Sequence, residues 1–152
     1  MKKTKIKILF LAMLIGSMTI LTTSCEKEKG CTDPDSINYN ADAEEDDGSC
    51  EYQATIQFWY DEATSEALLD EDVSSLTIYV DNEIIGSYAA SVYFTSDPDC
   101  DEQSVVRSTK NLGKSKTKTS TYKVVDDYGV ELWSGTVTYD ASKSCTSIQL
   151  CV

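Results

Sequence analysis

The sequence predicts an all-β protein: a small antiparallel β-sandwich, Ig-like or similar, preceded by a short disulfide-closed acidic module. Three observations lead there. Residues 53–152 hold short Thr-, Tyr- and Val-rich stretches that alternate apolar and polar between turn residues, the pattern of half-buried strands. Residues 30–52 are acidic, turn-rich and bracketed by Cys31 and Cys50. Residues 1–24 read as an export leader, which sends the cysteines where disulfides persist.

In the leader, Lys2, Lys3, Lys5 and Lys7 precede an apolar run of about 14 residues, 8–21, short of the ~20 that a spanning helix needs. These are the basic and apolar regions of a secretory signal. Leu21-Thr22-Thr23-Ser24-Cys25 then resembles a lipobox, where bacteria acylate a cysteine and cleave just before it. Ser24 supplies the small residue, while Thr22 stands where a leucine-like residue is usual. The resemblance implies that residues 1–24 are removed and that 25–29 form a lipidated tether. Cys25 would carry diacylglycerol and an amide-linked chain such as palmitate. Two or more chains anchor stably where one does not, so the lipid anchor is the only membrane contact expected. Cys25-Glu26-Lys27-Glu28-Lys29 also resembles signals that send such lipoproteins to the surface. The expected address is the outer membrane, on its cell-surface or periplasmic face.

From residue 25 onward the chain has nine basic and 26 acidic residues, net −17 against −13 for the whole sequence. That surface repels phosphate backbones, so no nucleic-acid partner is expected.

The stretch 30–52 is too short and polar to bury a core of its own. A Cys31–Cys50 bridge would contribute about 3 kcal/mol by restricting the unfolded chain, and it is the firmest pairing in the sequence. Gly30-Cys31-Thr32-Asp33-Pro34, Asn38-Tyr39-Asn40, Ala43 and Asp46-Asp47-Gly48-Ser49-Cys50 together resemble a cysteine-bracketed repeat of exported and surface proteins in Bacteroidota-type bacteria. The resemblance implies an envelope context and a spacer or adhesion-associated module. Asp33, Asp35, Asn38, Asn40, Asp42, Asp46 and Asp47 offer hard oxygen donors, so calcium is the one cofactor the composition suggests. An EF-hand loop begun at Asn38 puts Ala43 at the glycine position and Ser49 at the glutamate position; begun at Asp42, it puts Asp47 at the glycine position. The module is therefore not an EF-hand, and side chains capping their own turns are the default. Asp35-Ser36-Ile37 resembles an O-glycosylation acceptor of these bacteria.

In the larger domain, residues 54–60 alternate, with Ala54, Ile56, Phe58 and Tyr60 on one face. Residues 62–72 read as a loop. Residues 76–80 form a strand, and Asp81-Asn82 turns it into a partner at 83–85. Further strands are expected at 91–94, 121–125, 130–139 and 146–152, with a turn at 126–129. Trp59 and Trp133 read as packing residues.

Cys100, Cys145 and Cys151 allow three pairings. Phe58-Trp59, Ile78-Tyr79-Val80-Asp81, Cys100, Tyr122, Trp133-Ser134-Gly135-Thr136-Val137-Thr138, Cys145 and Ile148-Gln149-Leu150 together resemble a family of small bacterial lipoproteins. The resemblance implies a Cys100–Cys145 bridge and leaves Cys151 a free thiol. The family often has glycine after the first cysteine; here it is Asp101.

Catalytic equipment is sparse. The sequence has no histidine, which removes Ser-His-Asp and Cys-His machinery and the commonest transition-metal ligand. Ser115/Lys118 and Ser120/Lys123 fit S-x-x-K, but in a stretch of Ser, Thr, Lys and Gly where chance matches are expected. Arg107, Lys110, Lys114, Lys116, Lys118 and Lys123 hold six of the nine positive charges. This segment reads first as a solvated hairpin loop, and second as a dock for an acidic partner or for the protein's own acidic module. The function expected is therefore non-enzymatic: an interaction or structural module meeting an envelope protein or glycan, with calcium or glycan binding as the alternative.

Overall fold

The computed structural model describes residues 26–143 and 145–152. The expectations for the leader and for lipidation at Cys25 lie outside the described residues. The elements in order are β1 (Lys29–Gly30), β2 (Glu45–Asp46), β3 (Tyr52–Trp59), α1 (Glu62–Asp70), β4 (Ser75–Val80), β5 (Glu83–Ala89), β6 (Val106–Gly113), β7 (Thr117–Asp126), β8 (Glu131–Asp140) and β9 (Thr146–Gln149). Strands β1 and β2 form a small parallel pair in the module. The larger domain packs a three-stranded sheet, β6-β3-β9, on a four-stranded sheet, β5-β4-β7-β8. It is a small β-sandwich, antiparallel except where β9 joins β3 in parallel.

The core lies between the sheets because alternation puts one row from each strand inside. Ile56 and Phe58 of β3, Leu76 and Ile78 of β4, Val124 of β7 and Tyr139 of β8 are fully buried. Buried tyrosines need partners for their hydroxyls, and here those partners tie the sheets together. Tyr88 accepts from Val106 N at 2.6 Å and donates to Phe58 O at 2.7 Å. Tyr60 donates to Ala89 O at 3.0 Å. Strands β5 and β6 approach so closely that a Cβ at Gly86 would sit 2.8 Å from Val106 Cγ1.

Both expected bridges are present, Cys31–Cys50 and Cys100–Cys145, and among the described residues Cys151 is the free cysteine. Three expectations are corrected. Residues 62–72 are not a loop: α1 covers Glu62–Asp70, started by Asp61, whose carboxylate accepts from Thr64 N at 3.0 Å. Leu68 points it into the core. The strand expected at 91–94 is instead part of a loop, since only Phe94 turns inward while Val92 and Tyr93 stay exposed. The segment read as a hairpin loop is mostly strand: β6 and the first half of β7 flank a tight tip at Gly113, whose φ is +60°.

Loop 91–105 lies over the outer side of β3. Buried Gln57 donates to Pro98 O at 2.7 Å, and the Cys100–Cys145 bridge fastens the loop to the start of β9.

Candidate functional site

The acidic module sits on the tip of the β6–β7 hairpin. The bridge buries Cys31 and Cys50 against Tyr52, and this small cluster packs on Leu112 and Ala141 of the sandwich. Around it, polar contacts converge on Asp33. Lys116 Nζ lies 2.7 Å from Asp33 Oδ2 and 2.8 Å from Asp35 Oδ2. The Tyr52 hydroxyl donates to Asp33 Oδ2 at 2.7 Å, and Lys114 Nζ donates to Gly48 O at 2.9 Å. The Lys116 ammonium and then the Tyr52 hydroxyl hold the Asp33 carboxyl down to about 2. The two carboxylates in turn push Lys116 above the ordinary lysine range. Of the two readings of the basic segment, docking of the protein's own module is the one found for Lys114 and Lys116, and the solvated loop is set aside.

Six of the seven candidate calcium donors are engaged by groups of the protein itself. Asp33 and Asp35 face Lys116. Asn38 accepts from Glu51 N at 2.8 Å, and Asn40 accepts from Asp42 N at 3.0 Å. Asp46 accepts from Gly48 N at 2.9 Å and Asp47 from Ser49 N at 2.8 Å. Asn40, Asp46 and Asp47 thus cap their own turns, while Asn38 ties its turn to Ser49 and Glu51. Among the described residues no group of three or more His, Cys, Asp or Glu is placed to hold a metal ion. Ser36, the glycan acceptor suggested by sequence, is buried, and its hydroxyl donates to Asp33 O at 2.9 Å.

Arg107 and Lys123 have partners apart from the module. Arg107 is held by the carbonyls of Cys100, at 2.7 Å, and Glu102. Lys118 is exposed. Lys123 lies over the Tyr79 ring, 5.0 Å from its centroid. Ser120 and Lys123 fail as a nucleophile pair because residues three apart on a strand point to opposite faces. Ser120 is buried inside while Lys123 stands outside. Ser115 is occupied by Thr117 O at 2.7 Å.

A serine–lysine contact that sequence reasoning missed lies elsewhere. Lys110 opposes Ala54 and so points inward from edge strand β6. It meets the Asp81 carboxylate, the Ser120 hydroxyl at 3.2 Å and the face of Tyr139 at 5.2 Å. The Lys110 ammonium, helped by Ser120, holds the Asp81 carboxyl down to about 2. An inward charge on an edge strand discourages edge-to-edge pairing, which is the role we assign to this cluster.

The sequence matches no protein-family model, and comparisons with curated proteins and with solved structures find no significant match. Function is therefore read from surfaces.

Two surfaces stand out. On the outer face of the four-stranded sheet, a depression of about 390 Å³ is lined by Tyr79, Asn82, Thr121, Lys123, Glu131 and Thr136. It has the aromatic ring and hydroxyls a glycan site needs, but the Lys123 ammonium covers the ring. At the other end from the module, a groove of about 620 Å³ runs between α1, the start of β8 and the C-terminal tail. Trp133 lines it. Trp59 is buried as expected, whereas Trp133 is only partly so, and its indole N–H donates to Cys151 O at 2.9 Å.

Proposed function

We propose that this chain is a lipid-anchored envelope protein that works as an interaction module, without catalysis of its own. In this reading Cys25 carries the lipid, the acidic module is a rigid foot, and the sandwich presents its far end to a partner. The observation that carries it is the rigid foot itself. Only Glu26, Lys27 and Glu28 separate Cys25 from β1, so at ~3.5 Å per residue the first strand would lie within about 14 Å of the acylated sulfur. From there the Cys31–Cys50 bridge, its packing on Leu112 and Ala141 and the Lys116 contacts tie the module directly to the sandwich. Two internal bridges also suit an oxidising compartment.

Labelled fatty acid and membrane pelleting test the anchor. The parent protein should take up label and pellet, and Cys25→Ala should do neither. A parent that stays unlabelled and a variant that pellets equally would end this reading. Protease shaving of intact cells then separates surface exposure from the periplasmic face.

A further inference from the structure

The groove at the far end of the sandwich has a composition that specifies its occupant. Buried Leu68 and Val73 lie at its base, partly buried Leu132 and Trp133 line it, and exposed Val152 lies along it. Trp133 is fixed by its hydrogen bond to the tail, so the groove is formed without a ligand. Further apolar side chains stand exposed at the same end: Leu69 at 48%, and Tyr128 and Val130 in the β7–β8 turn at 70% and 55%. Asp127 of that turn accepts from Ser74 N at 3.0 Å beside the start of β4, which places the turn at this end. Apolar side chains exposed at the same end as a groove are a mark of a contact site.

The rim is acidic, and among the described residues no ion pair is formed to Asp70 or Glu71. Asp70 and Glu71 line the groove, and six acids fall between residues 61 and 72. No lysine or arginine occurs between residues 51 and 106, nor between 124 and 142. Lys143 belongs to the opposite end, 3.7 Å from Asp140, whose strand partner is Thr117 at the start of β7. Moreover, α1 ends on Asp70-Glu71-Asp72 with no basic residue in its last turn. A helix C-terminus already carries partial negative charge from its free carbonyls, so acids there are destabilising until a cation meets them.

We propose that this groove binds a cationic peptide segment of a partner protein, with an apolar side chain seated against Trp133 and flanking Lys or Arg on Asp70 and Glu71. The proposal deepens the interaction-module reading and rests on it for the partner's being a protein. Its test does not depend on the lipid, so the two can fail separately.

The chain from Glu26 to Val152 contains the whole described fold and its core, and serves for the test. The probe is a fluorescein-labelled peptide with a leucine–phenylalanine anchor flanked by lysines. Control peptides have glutamate in place of lysine, or serine in place of the anchor. The lysine peptide should bind at least about tenfold tighter than either control. Asp70→Lys with Glu71→Lys should weaken it about tenfold or more, while Glu44→Lys with Glu51→Lys, two exposed acids at the module end, should change Kd by less than about twofold. Bound peptide should also slow alkylation of Cys151 by N-ethylmaleimide, since that thiol lines the groove. Equal loss in both charge-reversal variants would mean diffuse attraction to an acidic protein and overturn the proposal. Saturating peptide with unchanged Cys151 alkylation would overturn it by placing binding elsewhere. Sedimentation as a dimer dissociated by Asp70→Lys with Glu71→Lys would give the groove to a second copy instead.

Discussion

The two disulfides should fail in different ways, because one constrains the sandwich and the other a unit with almost no core. Their sequence separations are 19 for Cys31–Cys50 and 45 for Cys100–Cys145. Loop-closure entropy in the unfolded chain then gives about 3 and about 4 kcal/mol respectively. In Cys100→Ser with Cys145→Ser, the loss falls on the cooperative core: loop 91–105 is freed from β9, a four-residue strand paired only to β3. At roughly 4–8 °C per kcal/mol for a domain of this size, melting should fall by about 16–32 °C. In Cys31→Ser with Cys50→Ser, the module has only Cys31, Cys50 and Tyr52 as its buried apolar cluster. That cannot offset ordering some twenty residues at about 1 kcal/mol or more each. The module should therefore open locally while the sandwich melts within a few degrees of the parent. Scanning calorimetry reads the main transition, and amide exchange over residues 31–50 reads the module. A fall of only a few degrees on losing Cys100–Cys145 would refute the idea that this bridge constrains the core. A single transition shifted equally in both variants would show the module and sandwich to be one cooperative unit.

Gly86→Ala should destabilise by about 1–3 kcal/mol, because the added Cβ would overlap the stiff Val106 side chain. Adding Val106→Ala should recover part of that loss in urea unfolding. The module dock should be insensitive to pH across the neutral range. Asp33 is depressed from 3.8 to about 2, so its contribution is present above about 3.8 and disappears only as pH falls toward 2. Lys116 is raised above 10.5, so its contribution is present below that value and is lost only at more alkaline pH. Carboxyl NMR of Lys116→Met should show Asp33 titrating closer to 3.8. Millimolar calcium should leave the melting temperature unchanged, since the candidate oxygens of Asp33, Asp35, Asn38, Asp46 and Asp47 already have partners within the protein; a rise reversed by chelator would refute that account.

What was legible in the sequence followed from period and from turn chemistry. Strand β3 shows its alternation openly because Ala54, Ile56 and Phe58 all face an apolar core. Asp81 and Asn82 announce a hairpin because they tolerate positive φ, here 50° and 68°. Strand β6 was invisible for a physical reason. Its inward row runs Val106, Ser108, Lys110, and the polar members are answered by Tyr139 and Ser120 from other strands and by Asp81 from the β4–β5 turn. No local pattern reveals partners that distant. Helix α1 was obscured because its acids look like loop, although Asp61 three residues before Thr64 was an N-cap signal in plain view. Trp133 was read as packing because a tryptophan in a strand usually packs. That its ring also lines a groove depends on where α1 and the tail end, which the strand itself does not encode.

The arrangement of charge has one further consequence. The six cations between residues 107 and 123 lie in β6, β7 and the tip between them, and the best-placed of them are consumed internally by Asp33, Asp35 and Asp81. Among the described residues the acids of α1 receive no such compensation. A strongly acidic chain that placed its cations at random would neutralise both ends alike. Here they fasten the foot and close the sandwich edge, leaving the far end negative around an apolar groove. The same residues that make the body rigid thus remove the charges that would otherwise compete with a cationic partner. Rigidity lowers the conformational cost of binding, and uncompensated charge speeds the encounter, so docking the module and exposing the groove are two effects of one distribution of lysines.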